Sequence, residues 1–168
     1  KRKSSIISKM NKIRDDIFSY REMCDAENAT LQRGMNFHLN NSYSVILMSH
    51  RTNAPYNYRV HEDGITIEYE GHDVLKRDYL HNPKFEDQPD KLPSGKLTQN
   101  GLFIEAVKKY KERGRNPDAV KVYEKIMDGV WSLKGFFDLV DYKIVFENGR
   151  NVFRFILRLS QDQQVDGS

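Results

Sequence analysis

The chain has 168 residues, 38% of them hydrophobic and 30% charged, with a formal net charge of +3. That length fits one domain with a real core, and the aromatic content excludes global disorder. A single cysteine, Cys24, excludes an internal disulfide and argues against a cysteine-based zinc site, while the small positive charge permits an anionic partner without requiring one.

No stretch reads as a signal peptide or a membrane span, and a lone cysteine suits a reducing compartment, so a cytoplasmic protein is expected. The chain opens on Lys1, which reads as a fragment of something longer.

From Ser5 to Cys24 the pattern predicts a helix. Ile6, Met10, Ile13, Ile17, Tyr20 and Cys24 recur at spacings of four and three, a heptad-like stripe. The plain reading is that the stripe packs on its own domain; the sharper one is a dimerising or domain-linking helix. Residues 1–33 are therefore read as an N-terminal helical segment. Beyond Gly34 the pattern turns to strands. Tyr43 to Met48 is a compact apolar run of strand length, and Ser49 to Pro55 reads as a loop. Asp63-Gly64 signals a turn, after which Ile65 to Tyr69 alternates like a half-buried strand.

Gly71 to Gly95 is long, rich in Pro, Lys and Asp, and without periodicity. A loop of that length in a compact domain is usually functional or disordered. Thr98 or Asn100 can cap a helix running to about Arg113, stopped by Gly114. Ala119 to Ile126 reads as a strand. In Gly129 to Val140, Trp131, Phe136 and Phe137 read as core. Asn148-Gly149 between Tyr142–Phe146 and Val152–Leu157 is the strongest hairpin signal in the chain. Residues 34–160 thus form the main domain and 161–168 a frayed tail. The expected fold class is α+β: a curved or barrel-like mixed sheet covered by one or two helices.

The segment from Arg51 to Asp73 concentrates Tyr56, Tyr58, Tyr69, His61, His72, Arg51, Arg59, Glu62, Asp63 and Asp73 around two turns. An extruded base needs aromatic faces to replace lost stacking, and cytosine N4 needs an acceptor such as a carboxylate. Tyrosines and aspartates near turns are also ordinary, so this grouping alone does not decide. The five histidines are scattered, with no metal-ligand spacing, no phosphate loop and no nucleophile elbow. No catalytic residue, metal ligand or cofactor is assigned, and the fragment is not read as an enzyme.

The order of several short motifs is more specific than any one of them. Ser42-Tyr43-Ser44-Val45-Ile46-Leu47 is followed by Tyr69-Glu70-Gly71-His72-Asp73, Asp87-Gln88 and Leu97-Thr98-Gln99-Asn100. Val120-Lys121-Val122, Asp128-Gly129-Val130-Trp131 and Phe153-Arg154-Phe155-Ile156-Leu157 complete the series. In this order they resemble the SET- and RING-associated (SRA, or YDG) domain, over most of Asn40 to Ser160. Met127 stands where eukaryotic members have the signature tyrosine. Ala54-Pro55-Tyr56 and Tyr69-Glu70-Gly71-His72-Asp73 look more like the bacterial branch, often joined to a C-terminal HNH nuclease.

The resemblance implies an SRA/PUA-like fold that binds duplex DNA and flips 5-methyl- or 5-hydroxymethylcytosine into an aromatic pocket. It implies the recognition half of a modification-dependent restriction endonuclease in a bacterial cytoplasm. Tyr69 matches the family tyrosine that stacks on the base, and Tyr56 the aromatic on its other face. Tyr58 stands near the place of the family's cytosine-reading aspartate, so the acceptor falls to Glu62, Asp63, Asp73 or main chain. Arg51, Arg59, Lys76, Arg77 and Lys84 become backbone and groove contacts, the last three in the loop that fills the hole left by the base. The rival readings are an RNA- or single-strand-binding module that stacks bases without flipping, an intact small nuclease, and a homodimerising interaction domain using the N-terminal heptads.

Overall fold

The computed structural model describes residues 17–39, 42–49, 56 and 58–161. Strand β1 (Ile17–Phe18) leads into helix α1 (Tyr20–Glu27), and β2 (Gly34–Asn36), β3 (Ser44–Ser49), β4 (Tyr58–Val60) and β5 (Thr66–Glu70) follow. After a long connection with one 3₁₀ turn (Pro83–Phe85) come α2 (Gln99–Arg113), β6 (Asp118–Met127), β7 (Val130–Glu147) and β8 (Arg150–Leu159). The strands form one eight-stranded sheet in the order β2-β3-β6-β7-β8-β5-β4, with β1 added beside β7. All pairings are antiparallel except β3 with β6, so the sheet is mixed. This is the α+β architecture expected from the sequence, built as an open sheet with a helix on either face.

Two apolar clusters explain the layering. Ile46 and Met48 of β3 point into a cluster with Phe103, Val107, Tyr69, Phe155 and Leu157, beneath α2. Val45 and Leu47 point the other way, to Met23, Leu31, Tyr123 and Trp131 beneath α1. Successive side chains of a strand face opposite sides, so a strand covered on both faces reads as the continuous apolar run seen at 45–48. Residues 17–31 thereby share a core with the sheet.

The helix expected over Ser5 to Cys24 needs correcting where it is described. Ile17 and Phe18 pair as strand with Ser132 and Trp131. The helix begins only at Tyr20, because Ser19 and Glu22 form a reciprocal capping box. Ile6, Met10 and Ile13 lie outside the described residues, as do Arg51 and Pro55 of the expected 49–55 loop.

Helix α2 starts at the Thr98 cap and stops at Gly114, as the sequence predicts. Asn148 and Gly149 both have positive φ, 50° and 80°, as the expected two-residue turn requires. Beyond the expected hairpin, β7 extends back through Trp131 to Val130, where it pairs with β6. Bulges after Val122 in the β6 pairing and after Leu139 in the β8 pairing break its register. Glu27, fully buried at the end of α1, ties that helix to the sheet. It accepts from Tyr43 Oη and Tyr123 Oη at 2.6 Å each and pairs with Lys121 at 2.6 Å.

Candidate functional site

The C-terminal end of β5 gathers the polar chemistry of the molecule. Where β5 ends, Gly71 continues the pairing with β8, its N–H donating to Phe153 O at 2.9 Å. A Cβ at Gly71 would lie 2.7 Å from Asn100 Oδ1 and 2.8 Å from Gln88 Oε1. Only glycine lets those two amides close on the backbone. Gln88 donates to Gly71 O (2.7 Å) and Asp73 Oδ1 (3.1 Å), and accepts from Phe153 N at 2.8 Å. Asn100 accepts from His72 N at 2.7 Å and donates to His72 O at 2.8 Å. The strand-to-loop corner is thus fixed by side chains from the loop and from the first turn of α2.

Held in this way, the His72 ring turns inward. Its Nε2 accepts from Met35 N at 2.7 Å, and its ring stacks on Tyr56 at 4.5 Å with 13° between planes. Burial pushes the His72 pKa down to about 4, so the ring is neutral at physiological pH and fit to accept. Gly34, at φ 82°, makes room: a Cβ there would meet His72 Nε2 at 2.3 Å. Burial and then the nearby Asp73 charge push the Tyr56 hydroxyl up to about 12.

Asp73 is the hub. Arg150, itself 5% exposed, donates to Oδ1 at 2.8 Å and to the carbonyls of Pro83 and Glu86 at 3.2 Å. Lys84 pairs with Oδ2 at 2.7 Å, and its Nζ also lies 5.6 Å from the centre of the Tyr56 ring. Burial alone would raise the Asp73 pKa; hydrogen bonds from Lys84, Arg150 and Gln88 overcome this and hold it below the usual range.

The structure brings Tyr56, Asp73 and Lys84 together, with Tyr69 close by. Tyr69 is 1% exposed; its ring lies in the core and its hydroxyl donates to Leu47 O at 3.4 Å. Tyr56 is the aromatic nearer the surface. Tyr58, opposite Tyr69 in the β4–β5 register, donates instead to Glu124 Oε1 at 2.9 Å. Glu62 and Asp63 stand at the other end of β5, roughly five strand residues or ~17 Å away. There Asp63 accepts from Ile65 N and Thr66 N at 2.9 Å each, the bonding of a turn. Arg59 reaches across to Glu68 at 2.8 Å, and Arg77 pairs with Glu86 at 3.4 Å. Lys76 makes no ion pair among the described residues. Arg51 lies outside them.

The loop between Asp73 and α2 carries more than its cations. Leu75, Tyr79, Leu80 and Phe85 are each at least 80% exposed, an unusual concentration of apolar surface on one connection. Sequence reasoning passed over these four and Arg150, and it named His72 and Asn100 only within motifs, without a role in the site. Of those passed over, the exposed apolar residues left a signal, as hydrophobics in a segment with no period to bury them, and Arg150 left none.

No family model matches the chain, and no curated protein does. Solved structures do. The SUVH5 SRA domain in complex with hemi-methylated CG DNA is 19% identical, with a TM-score of 0.57 over 86% of each chain. SUVH5 SRA bound to fully hydroxymethylated CG DNA is 17% identical, with a TM-score of 0.55 over 86% of each chain. KRYPTONITE in complex with mCHG DNA and SAH is 16% identical, with a TM-score of 0.56, and the match covers 86% of this chain and 31% of that one. These similarities establish the fold: the chain has the architecture of an SRA domain, as its motif order implied.

Proposed function

We propose that this domain binds duplex DNA containing a 5-modified cytosine, rotates that base out of the stack and holds it against Tyr56 and Asp73. The observation that carries the reading is the position of Lys84. Its ammonium caps the Tyr56 ring and occupies Asp73 Oδ2 together. A flipped cytosine needs a ring face to stack on and an acceptor for N4. Lys84 covers both in the free protein. A phosphate arriving with the DNA would draw Lys84 away and uncover the two at once, while Arg150 and Gln88 keep Asp73 ionised and in position. The similarity to SRA domains crystallised with methylated and hydroxymethylated DNA supports the same reading.

Base extrusion costs a few kcal/mol, which phosphate contacts and insertion of the exposed loop must offset. Burying one added methyl is of order 1 kcal/mol, so a preference of about tenfold over unmodified cytosine is expected. Lys76 and Arg77 of the loop, with Arg51 and Arg59, serve as backbone contacts in this scheme. Tyr69 forms the buried floor beneath Tyr56, and Tyr58, Glu62 and Asp63 shape the β4–β5 side. The likeness of Tyr69-Glu70-Gly71-His72-Asp73 to the bacterial branch supports a larger role: the recognition module of a modification-dependent endonuclease in the bacterial cytoplasm. Cleavage would belong to an HNH domain elsewhere in the full-length protein, and a homodimer through the N-terminal segment would give two such readers. Among the described residues no helix is long and apolar enough to cross a membrane.

The test is competition binding at physiological salt with one short duplex carrying cytosine, 5-methylcytosine or 5-hydroxymethylcytosine at a single site. A preference for one modified duplex, lost in Tyr56→Ala and Asp73→Asn, is expected. Equal, salt-sensitive binding to all three would leave only a basic surface, and tighter binding to single strands would favour stacking without flipping.

A further inference from the structure

A cavity of about 420 Å³ runs along α2 from Leu102 to Lys109, between that helix, the exit of β2 and the entry to β6. Its floor is apolar, from Phe37, Leu102 and Ala106. Its wall is built. Gln99 Oε1 accepts from Phe37 N at 2.8 Å, and His38 N donates to Ser44 Oγ at 3.1 Å. The rings of Phe37 and His38 stack at 4.1 Å with 9° between planes, and His38 Nε2 lies 2.7 Å from Asp118 Oδ2.

His38 also has φ 41°, in the left-handed region. The other non-glycine residues there among those described are Asn28, a helix C-cap, and Asn148, a hairpin turn. Asparagine and histidine are the residue types that take that conformation most readily after glycine, and the contacts to Ser44 and Asp118 hold His38 there. Across the opening stand Lys109, Arg115 and Asn116, all exposed. Neither cation makes an ion pair among the described residues. Two carboxylates share the rim: Asp118, 2.7 Å from His38 Nε2, and Glu105, which pairs with Lys108 at 3.9 Å.

We infer that this cavity is a second ligand site, for a nucleotide phosphate. Lys109 and Arg115, neither held in an ion pair among the described residues, supply the charge for one phosphate. The apolar floor with the edge of the Phe37–His38 stack accepts a planar ring, and Asn116 offers both a donor and an acceptor to its rim. Inorganic phosphate would use only the first of these features. The nucleotide is either free in solution or part of a bound strand, and the site stands independently of the cytosine-flipping reading.

Isotope-labelled full chain is titrated separately with deoxycytidine monophosphate, inorganic phosphate and an unmodified duplex, following the His38 ring and the amides of Phe37 and Arg115. The same titrations use Lys109→Gln/Arg115→Gln, two exposed positions whose loss leaves the fold intact. Saturable shifts with the mononucleotide, competed by phosphate and weakened at least tenfold in the double variant, establish the site with a free ligand. Shifts with the duplex alone, with weaker duplex binding in the variant, assign it to a strand nucleotide. If neither the mononucleotide nor the duplex moves these residues, the inference is wrong. Failure of the modified-cytosine competition would leave this result untouched.

Discussion

Glu27 and Asp73 are built from the same parts and put to different ends. Each is a carboxylate held by a lysine beside aromatic rings, and each lies below its usual pKa despite burial. Around Glu27 everything is closed. The carboxylate is 0% exposed, its lysine is 16% exposed, and its tyrosine donors come from β6 and from the residue just before β3. Around Asp73 two partners, Arg150 and Gln88, are as buried as core residues, while the third, Lys84, is 48% exposed and rides on a loop. A carboxylate whose partners are all fixed is a structural lock. One with a single releasable partner can exchange it for a ligand.

The comparison breaks most visibly at Glu27. Glu27→Ala leaves Lys121 and two tyrosine hydroxyls without their acceptor, and should cost about 3–5 kcal/mol in urea unfolding. DNA preference of the protein that remains folded should be unchanged. A loss of preference at full stability would mean that the lock is itself a site.

Next in size is a pH effect on the Asp73 side. The His72 pKa falls from 6.5 to about 4 on folding, so between these values the unfolded chain binds the proton and the folded one does not. The stability from this group is therefore complete above pH 6.5 and lost as pH falls towards 4, by up to about 3 kcal/mol. His72→Gln should flatten unfolding free energy across that window. The two carboxylates act in the same direction but lower, below their ordinary values of 4.5 and 3.8, and should leave the window between pH 5 and 6.5 untouched.

Asp73→Asn should cost less stability than the Glu27 change, about 1.5–3 kcal/mol, because Arg150 keeps two carbonyl acceptors and Lys84 turns to solvent. Its main effect should be on recognition, a loss of ten- to hundredfold for the modified duplex. The smallest effect is that of Lys84→Ala. Stability should move by less than about 1 kcal/mol, and the salt dependence of duplex binding should fall by the equivalent of about one phosphate contact. Preference between modified and plain cytosine should survive. If preference vanished with Lys84, the lysine would read the base directly instead of making way for it.

Much of the scaffold was legible because its signals are local. Thr98 and Gly114 bound α2, the run at 45–48 marks a strand covered on both faces, and Asn148-Gly149 sets a hairpin. The start of α1 was legible too, in Ser19 and Glu22, but the heptad-like spacing through Ile17 competed with it and a helix was read through both. The first half of β7 escaped because its bulges reset the alternation on which strand reading depends. Within the site, Tyr56, Asp73 and Lys84 were visible by residue type. The roles of His72, Asn100 and Arg150 were not, because they come from partners 28 to 77 residues away. Those partners are set by topology and not by any local pattern. The carboxylates at 62 and 63 show the converse: near in sequence to the pocket tyrosines, they lie at the opposite end of the same strand.

The corner at Gly71 has a consequence for how the protein is made. Its walls come from Gln88, Asn100 and Phe153, and elsewhere in the same sheet β3 pairs in parallel with β6, joining residues 44–49 to 120–125. Contacts so distant along the chain form late and slowly. A ribosome that has synthesised β5 has made the aromatic floor but none of the amides that shape the corner. The apolar loop spends that interval exposed. Affinity for DNA should therefore arise only with release of the last strand, so truncated products would be sticky without being competent readers.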